Sequence, residues 1–245
     1  MGAAADAGAG RREMSEHSFT EVMLDLETMG KGPEAAIVAI GAVAFDIETA
    51  AISPRGFYVR VDLKSAVEAG GVMDPDTVIW WLQQSEAARA EITRDDIERR
   101  LIVNALLDFR HWLKTEACGE DSRIWGNGAA FDNVILRRAY QRLPLAVPWS
   151  HWNDRCYRTI KGLYGRDIKI ERTGVHHHAL SDAEAQAAHL LRMLDSDLTP
   201  AHRSCNACDW SGPVSECVML GSVGPLCPEC RETTDAVDTA VEVKK

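Results

Sequence analysis

The chain has 245 residues, enough for one sizeable core and a small appendage, and its 46% hydrophobic and 26% charged content excludes gross disorder. A formal net charge of −10 excludes a protein that coats nucleic acid by bulk attraction. The longest apolar run, Ala35 to Phe45, is too short to cross a bilayer, which takes about 20 residues, so no membrane association is expected.

Residues 1–18 are Ala/Gly-rich and polar, and read as a disordered tail with Met14 an alternative start. Arg11-Arg12 is followed by Glu13-Met14-Ser15-Glu16-His17 rather than an apolar stretch, so an intracellular, cytoplasmic protein is expected. Thr20–Leu26, Ala36–Phe45 and Gly56–Val61 are rich in strand formers and are separated by Gly30-Lys31-Gly32-Pro33 and Ser53-Pro54-Arg55, which predicts a three-stranded antiparallel meander. Asp74-Pro75 is a helix-start signal leading into Val78-Ile79-Trp80-Trp81-Leu82. Helical periodicity runs from Asp95 to Lys114 through Ile97, Leu101, Ala105, Phe109 and Trp112. A strand over Arg123–Gly126 and a helix over Asp132–Arg142 follow, then a last strand over Ala146–Trp149 and helices over Arg155–Leu163 and about Leu180–Leu194.

A meander followed by strand–helix alternation predicts an α/β fold, a mixed β-sheet of antiparallel meander plus parallel strands with flanking helices. The expected division is a main domain over 19–195, a linker over 196–202, a cysteine-rich unit over 203–232 and a flexible tail over 233–245. Between Arg137 and Arg172 nine bases face three acids, so a local basic face could grip a phosphate backbone within an acidic chain. A solvated helix face explains the same run equally well.

Asp25-Leu26-Glu27-Thr28 and Asp46-Ile47-Glu48-Thr49 share one pattern, and context separates them. Successive side chains of a strand alternate faces, so Met23, Asp25 and Glu27 share one side. Two acids together at the end of an apolar strand repel and lose hydration unless cations neutralise them. Asp46 and Glu48 sit where the second strand runs into a turn, where solvated acids need no explanation. A hydrated loop just past the first strand is the alternative for Asp25 and Glu27.

Asp132 follows a strand exit with two glycines and shares the i, i+3, i+4, i+7, i+8 face with Ile135, Leu136, Ala139 and Tyr140. Asp at a helix start is also an ordinary N-cap, so this residue alone decides nothing. His177 stands five positions ahead of Asp182, placing an imidazole on the loop before a helix-borne carboxylate. An imidazole with pKa near 6.5 can take a proton from water at neutral pH. Ser181 and Glu184 fit a capping box, which offers a purely structural role for this segment.

Cys205-x-x-Cys208 and Cys227-x-x-Cys230 are separated by eighteen residues, the spacing of a four-cysteine structural zinc site. With Trp210, Gly212, Pro225 and Pro228 around the pairs, the segment looks like a zinc ribbon holding one structural Zn²⁺. Cys217 lacks a pair-mate at knuckle spacing, although it could replace one ligand; Cys118 and Cys156 read as ordinary packed residues.

Taken together, Asp25-Leu-Glu27-Thr-Met-Gly, Asn127-Gly128-x-x-Phe131-Asp132-Asn133 and His177-x-Ala179-Leu180-x-Asp182-Ala183 resemble, in order, the three motifs of the DEDDh 3′–5′ exonucleases, a ribonuclease H-like family. The resemblance covers roughly residues 19–195. Its wording, with Trp80-Trp81-Leu82-Gln83-Gln84, looks most like the phage DexA-type branch.

The resemblance implies a ribonuclease H-like fold and a two-metal-ion hydrolase that trims a single strand or 3′ overhang of DNA or RNA, releasing nucleoside 5′-monophosphates. By the same analogy Asp25, Glu27, Asp132 and Asp182 hold two Mg²⁺ or Mn²⁺ ions, with Asp25 bridging, and His177 is the general base. His176 and His178 flank it, so the identity of the base rests on register. Thr28, Met29, Asn127 and Phe131 are implied substrate contacts. Adjacent tryptophans on a helix point different ways, so one of Trp80 and Trp81 is expected in the core, with Trp81 the candidate substrate contact. A non-catalytic adaptor built on the same fold is the rival reading. Oligomeric state stays open, a homodimer being one arrangement.

Overall fold

The computed structural model describes residues 19–94, 98–165, 168, 177–198, 202–205, 207–208, 211–213, 218–220, 224–230 and 235–236. The predicted tails, 1–18 and most of 233–245, lie outside the described residues, as do Asp95 to Ile97. The chain divides into two compact units, residues 1–191 and 192–245.

The first unit is built on β1 (Glu21–Thr28), β2 (Ile37–Phe45) and β3 (Phe57–Arg60), an antiparallel meander with the register Asp25 opposite Gly41. Helices α1 (Leu63–Glu68), α2 (Pro75–Leu82), α3 (Glu86–Thr93) and α4 (Ile102–Glu116) follow. Then come β4 (Arg123–Gly126), α5 (Asp132–Arg142), β5 (Asp154–Cys156), α6 (Tyr157–Tyr164) and α7 (Ala179–Leu198). The sheet order is β3-β2-β1-β4-β5, with β4 parallel to both β1 and β5. This is the mixed sheet with flanking helices that the element order implied.

All nine residues of β2 are buried, which is why it reads as an unbroken apolar run rather than an alternating one. On one face of β1, Val22, Leu24 and Leu26 join Ile124, Leu106, Phe109, Ile135 and Leu136 in the main core. Met23, Asp25 and Glu27 point to the other face, where α7 presents Ala179, Ala183 and Ala187 at helical spacing. Such small side chains let a helix lie close to a sheet.

Caps follow local chemistry. Asp62, Asp74 and Ser85 accept backbone N–H bonds at the starts of α1, α2 and α3, and Pro75 occupies the first position of α2.

Three expectations are corrected. No strand forms over Ala146–Trp149; the fifth strand is Asp154–Cys156. Pro148 removes a ladder donor from that apolar run, and Trp149 is buried for its ring, with Nε1–H donating to Asp154 Oδ1 at 2.8 Å. The helix expected from Asp95 begins at Ile102, because Arg100 pairs with the strand edge beside Val61 and exchanges backbone bonds with Arg60 and Asp62. The last helix runs past Leu194 to Leu198, into the stretch expected to be a linker.

In the second unit β6 (His202–Ser204), β7 (Ser211–Pro213) and β10 (Asp235–Ala236) form one small sheet, in order β10-β6-β7. The strands β8 (Val218–Leu220) and β9 (Gly224–Leu226) form a hairpin.

Candidate active site

The carboxyl ends of the parallel pair β1 and β4 open onto a cleft of about 230 Å³ lined by Asp25, Glu27, Asp132, His177 and Asp182, together with Asn127, Phe131, Arg158 and Gln186. The four acids and the histidine, spread over 158 positions of sequence, share this cleft.

Two glycines allow it. A Cβ on Gly126 would stand 2.4 Å from Asn133 Oδ1 and 3.1 Å from Asp132 Cβ, so α5 can start only against a bare strand end. A Cβ on Gly41 would meet the Ala179 and Leu180 backbone at 2.2 Å, so the start of α7 can lie this close to β2 only because position 41 has no side chain. Asp132 Oδ1 then accepts the Leu26 N–H at 3.2 Å, tying α5 to β1 between the two β1 acids. Gln186, one turn after Asp182, donates Nε2–H to Asp25 Oδ1 at 2.8 Å.

Burial, reinforced by the neighbouring Asp132 and Glu27, pushes the Asp25 carboxyl well above the usual carboxylate range. Burial with Asp182 and Asp132 nearby pushes Glu27 up to about 8. Asp132 is pushed up to about 7 by burial, against backbone hydrogen bonds and the Arg158 charge that favour its ionised form. Asp132 Oδ2 is buried with no hydrogen-bond partner. Buried acids crowded together, one with an orphaned oxygen, are the donor set of a cation site, and all-oxygen donors favour hard ions. Ligand atoms of Glu27, His177 and Asp182 lie within 4.8 Å of one another. By contrast, Asp46 accepts the Thr49 N–H in an exposed turn and is held below its ordinary pKa by that bond.

The two described histidines of the His176–His178 run have separate environments; His176 lies outside the described residues. His177 adopts φ +64°, its N–H donates to Asp182 Oδ2 at 3.2 Å, and its ring meets Trp80 edge-on at 4.9 Å. His178 is not among the residues lining the cleft and is stacked on Tyr58 at 4.1 Å. Its Nδ1 accepts the Ser181 N–H at 3.3 Å, which leaves the proton on Nε2, 4.0 Å from Glu91.

Beside the cleft, sharing Leu26, Glu27 and Phe131 with it, lies a more apolar pocket of about 410 Å³ bounded by Thr28, Gly30, Trp80 and Trp81. Trp81 is only 2% exposed and donates Nε1–H to the Thr28 carbonyl at 3.0 Å, so it is the core member of the pair. Trp80 is 41% exposed, and both tryptophans line the pocket. Thr28 lines the pocket, whereas Met29 is packed in the core and lines a different cavity beside Arg60 and Glu91. Asn127 and Phe131 are at the cleft. Gln186 and Arg158 line the cleft but were not among the sequence candidates; for Gln186 the i+4 spacing from Asp182 was the available signal.

In the second unit, Cys205 and Cys208 follow β6 while Cys227 and Cys230 follow β9, and all four sulfurs lie within 4.8 Å of one another. Cys205–Cys230 and Cys208–Cys227 separations of 3.4 and 3.5 Å are far beyond a disulfide bond of about 2.05 Å. They approach the edge, about 3.8 Å, of a tetrahedron of thiolates around zinc. Burial opposes ionisation of Cys227, yet hydrogen bonds from the Cys230 and Glu229 backbone outweigh it and bring the thiol down to about 7. Trp210 and Cys217 lie outside the described residues.

A ribonuclease H-like sheet whose parallel strand ends gather four acids and a histidine defines a DEDDh-type 3′–5′ exonuclease. The sequence model of the family described as the 3′-5′ exoribonuclease Rv2179c-like domain matches residues 20–194, and the chain belongs to that family. It is also similar to the exodeoxyribonuclease of Enterobacteria phage T4, 30% identical over 159 residues, covering 57% of this chain and 69% of that protein. Among solved structures it resembles the nuclease domain of 3′hExo, a DEDDh family member bound to rAMP, at 14% identity and TM-score 0.47, covering 75% and 95% of the two chains. Cell-death related nuclease 4 is similar at 13% identity and TM-score 0.43, covering 73% and 64%. Among the described residues no helix is long and apolar enough to cross a membrane.

Proposed function

We propose that the protein is a metal-dependent hydrolase that removes nucleoside 5′-monophosphates from the 3′ end of single-stranded or 3′-overhanging DNA or RNA, acting in the cytoplasm. The observation that carries this reading is the convergence of Asp25, Glu27, Asp132, Asp182 and His177 in one cleft. The four carboxylates would hold two Mg²⁺ or Mn²⁺ ions, which when bound supply the Lewis acidity for water activation and leaving-oxygen stabilisation. His177, on the loop before α7, accepts the proton of the attacking water. Gln186 fixes Asp25 through one oxygen and leaves the other free for ligation. The terminal base enters the apolar pocket, with Phe131 and Trp80 beside it and Thr28 at its base. The cysteine cluster holds one structural Zn²⁺, without which so small a unit would lack a core.

An oligonucleotide labelled at its 5′ end, incubated with the protein in Mg²⁺, Mn²⁺ or EDTA, tests the reading. A ladder shortening from the 3′ end, lost in EDTA and in Asp25→Asn, is expected. Binding without cleavage in every metal would instead identify an adaptor.

A further inference from the structure

Three arginines of α5 are spent on acids. Arg137 pairs with Asp154 at 3.1 Å, and Arg138 and Arg142 both pair with Glu34. Arg155 and Arg158 instead bond backbone carbonyls, and of these two only Arg158 lines the cleft. Its Nη2–H donates to the carbonyl of Asn127 at 2.7 Å, a neutral partner that leaves the charge uncompensated by any ion pair among the described residues. The guanidinium lies over Gly128, where a Cβ would stand 3.3–3.5 Å from Cζ, Nη2 and Nη1. Gly128 also has φ +113°, so its bare Cα is fixed by the turn as well as by the contact.

Among the described residues that line the cleft, the anchored arginine is the one permanently charged cation. It does not belong to the apolar pocket on the far side of Glu27 and Phe131. Depth separates it from the acids: Glu27 and Asp132 are buried, 7% and 3% exposed, whereas Arg158 is exposed at the rim. A strand with its terminal base in the pocket places its last phosphodiester over the acids and leaves past the rim. The next anion to be met there is the phosphate one nucleotide upstream.

We propose that Arg158, held over Gly128 by the Asn127 carbonyl, grips the phosphate immediately upstream of the scissile one. This rests on the exonuclease reading above. It makes Arg158 a substrate-positioning residue that registers the strand, with two donor nitrogens still available for a charge-assisted bond.

The test compares wild type with Arg158→Gln and Arg158→Lys on two substrates. One is a short oligonucleotide; the other is the p-nitrophenyl ester of thymidine 5′-monophosphate, whose single phosphodiester has nothing upstream. Loss of one charge-assisted bond is expected to raise KM for the oligonucleotide about ten- to hundredfold in Arg158→Gln. That loss should exceed the loss on the ester at least tenfold, with Arg158→Lys in between. The slope of log kcat/KM against log salt should flatten by about 0.7, one phosphate contact on a single strand. Equal losses on both substrates, or an unchanged oligonucleotide KM, would overturn the assignment while leaving the nuclease reading intact. A wild type inactive on both substrates would remove the nuclease reading, and the proposal with it.

Discussion

Gly41 in β2 lies so close beneath Ala179 that an added Cβ would stand 2.2 Å from its carbonyl carbon, and Gly41 is the register partner of Asp25. The backbone that delivers His177, Asp182 and Gln186 therefore rests on the strand position beside the first acid of the cleft. A methyl group at Gly41 has no room unless α7 lifts from the sheet. Overpacking of this kind costs about 1–3 kcal/mol. Gly41→Ala should lower oligonucleotide hydrolysis at least a hundredfold and shift the urea midpoint downward. Gly32→Ala, with nothing within 4 Å of the new methyl, should leave both unchanged.

Gln186 is 3% exposed and donates to Asp25 Oδ1, while its own Oε1 has no partner. Removing the amide frees Asp25 to rotate and strips away a bond that favours its ionised form. Gln186→Leu fills similar volume and removes an unsatisfied oxygen, so the fold should be kept. Activity should fall about tenfold or more, with a higher Mg²⁺ concentration needed for half-maximal rate. A metal titration of the purified variant measures both.

The three motif segments were legible because each is local: an acid pair on an apolar strand, an Asp on an inward helix face, a His ahead of a helix-borne Asp. The central strands were legible for a similar reason, since β1, β2 and β4 are apolar runs bounded by turn residues. Apolar content alone misled at Ala146–Trp149, where Trp149 is buried by a loop rather than a ladder. Periodicity misled near Arg100, where a bridge to Val61 outcompetes a helical turn. The choice between Trp80 and Trp81 hangs on the bond from Trp81 to Thr28, 53 residues away. Gln186 meets Asp25 across 161 positions and Arg158 meets Asn127 across 31, contacts that no spacing rule encodes.

The raised carboxyls make a signed prediction for the metal-free protein. Glu27 rises from an ordinary 4.5 to about 8, and Asp132 from 3.8 to about 7. Below about pH 4 both folded and unfolded chains hold these protons. Above that, the unfolded chain releases them first, so it binds fewer protons and stability falls as pH climbs towards 8. In EDTA the melting temperature should therefore drop from pH 5 to pH 8. Saturating Mn²⁺ should restore it, since the cation replaces the protons. Glu27→Gln in EDTA should flatten the profile, which a thermal scan at several pH values measures.

The cysteine cluster offers a test confined to its own unit. If four thiolates hold one ion, native mass spectrometry should show one zinc per chain, and Cys208→Ser should lose it. A small domain without its metal cannot bury enough surface to stay folded. Limited proteolysis after chelation should then cut within residues 202–236 while a fragment ending near Leu191 survives.

The choice of base separates two adjacent imidazoles. His177 lines the acid cleft, within 4.8 Å of Glu27 and Asp182 through its ligand-capable atoms, so His177→Ala should slow hydrolysis about 10²–10⁴-fold. His178 is fixed elsewhere, by the Ser181 N–H, the Tyr58 ring and the Glu91 carboxylate. Tyr58 donates to that same Glu91 at 3.1 Å, and burial raises its own pKa, so the phenol stays neutral and the cluster stays ordered. His178→Asn keeps a cap for Ser181 and should lose tenfold or less, because only the position of the neighbouring loop is disturbed. A pH–rate profile separates the roles: the acidic limb should vanish in His177→Ala and persist in His178→Asn. Loss of that limb in His178→Asn with its retention in His177→Ala would move the base by one residue and break the link between the cleft and its proton acceptor.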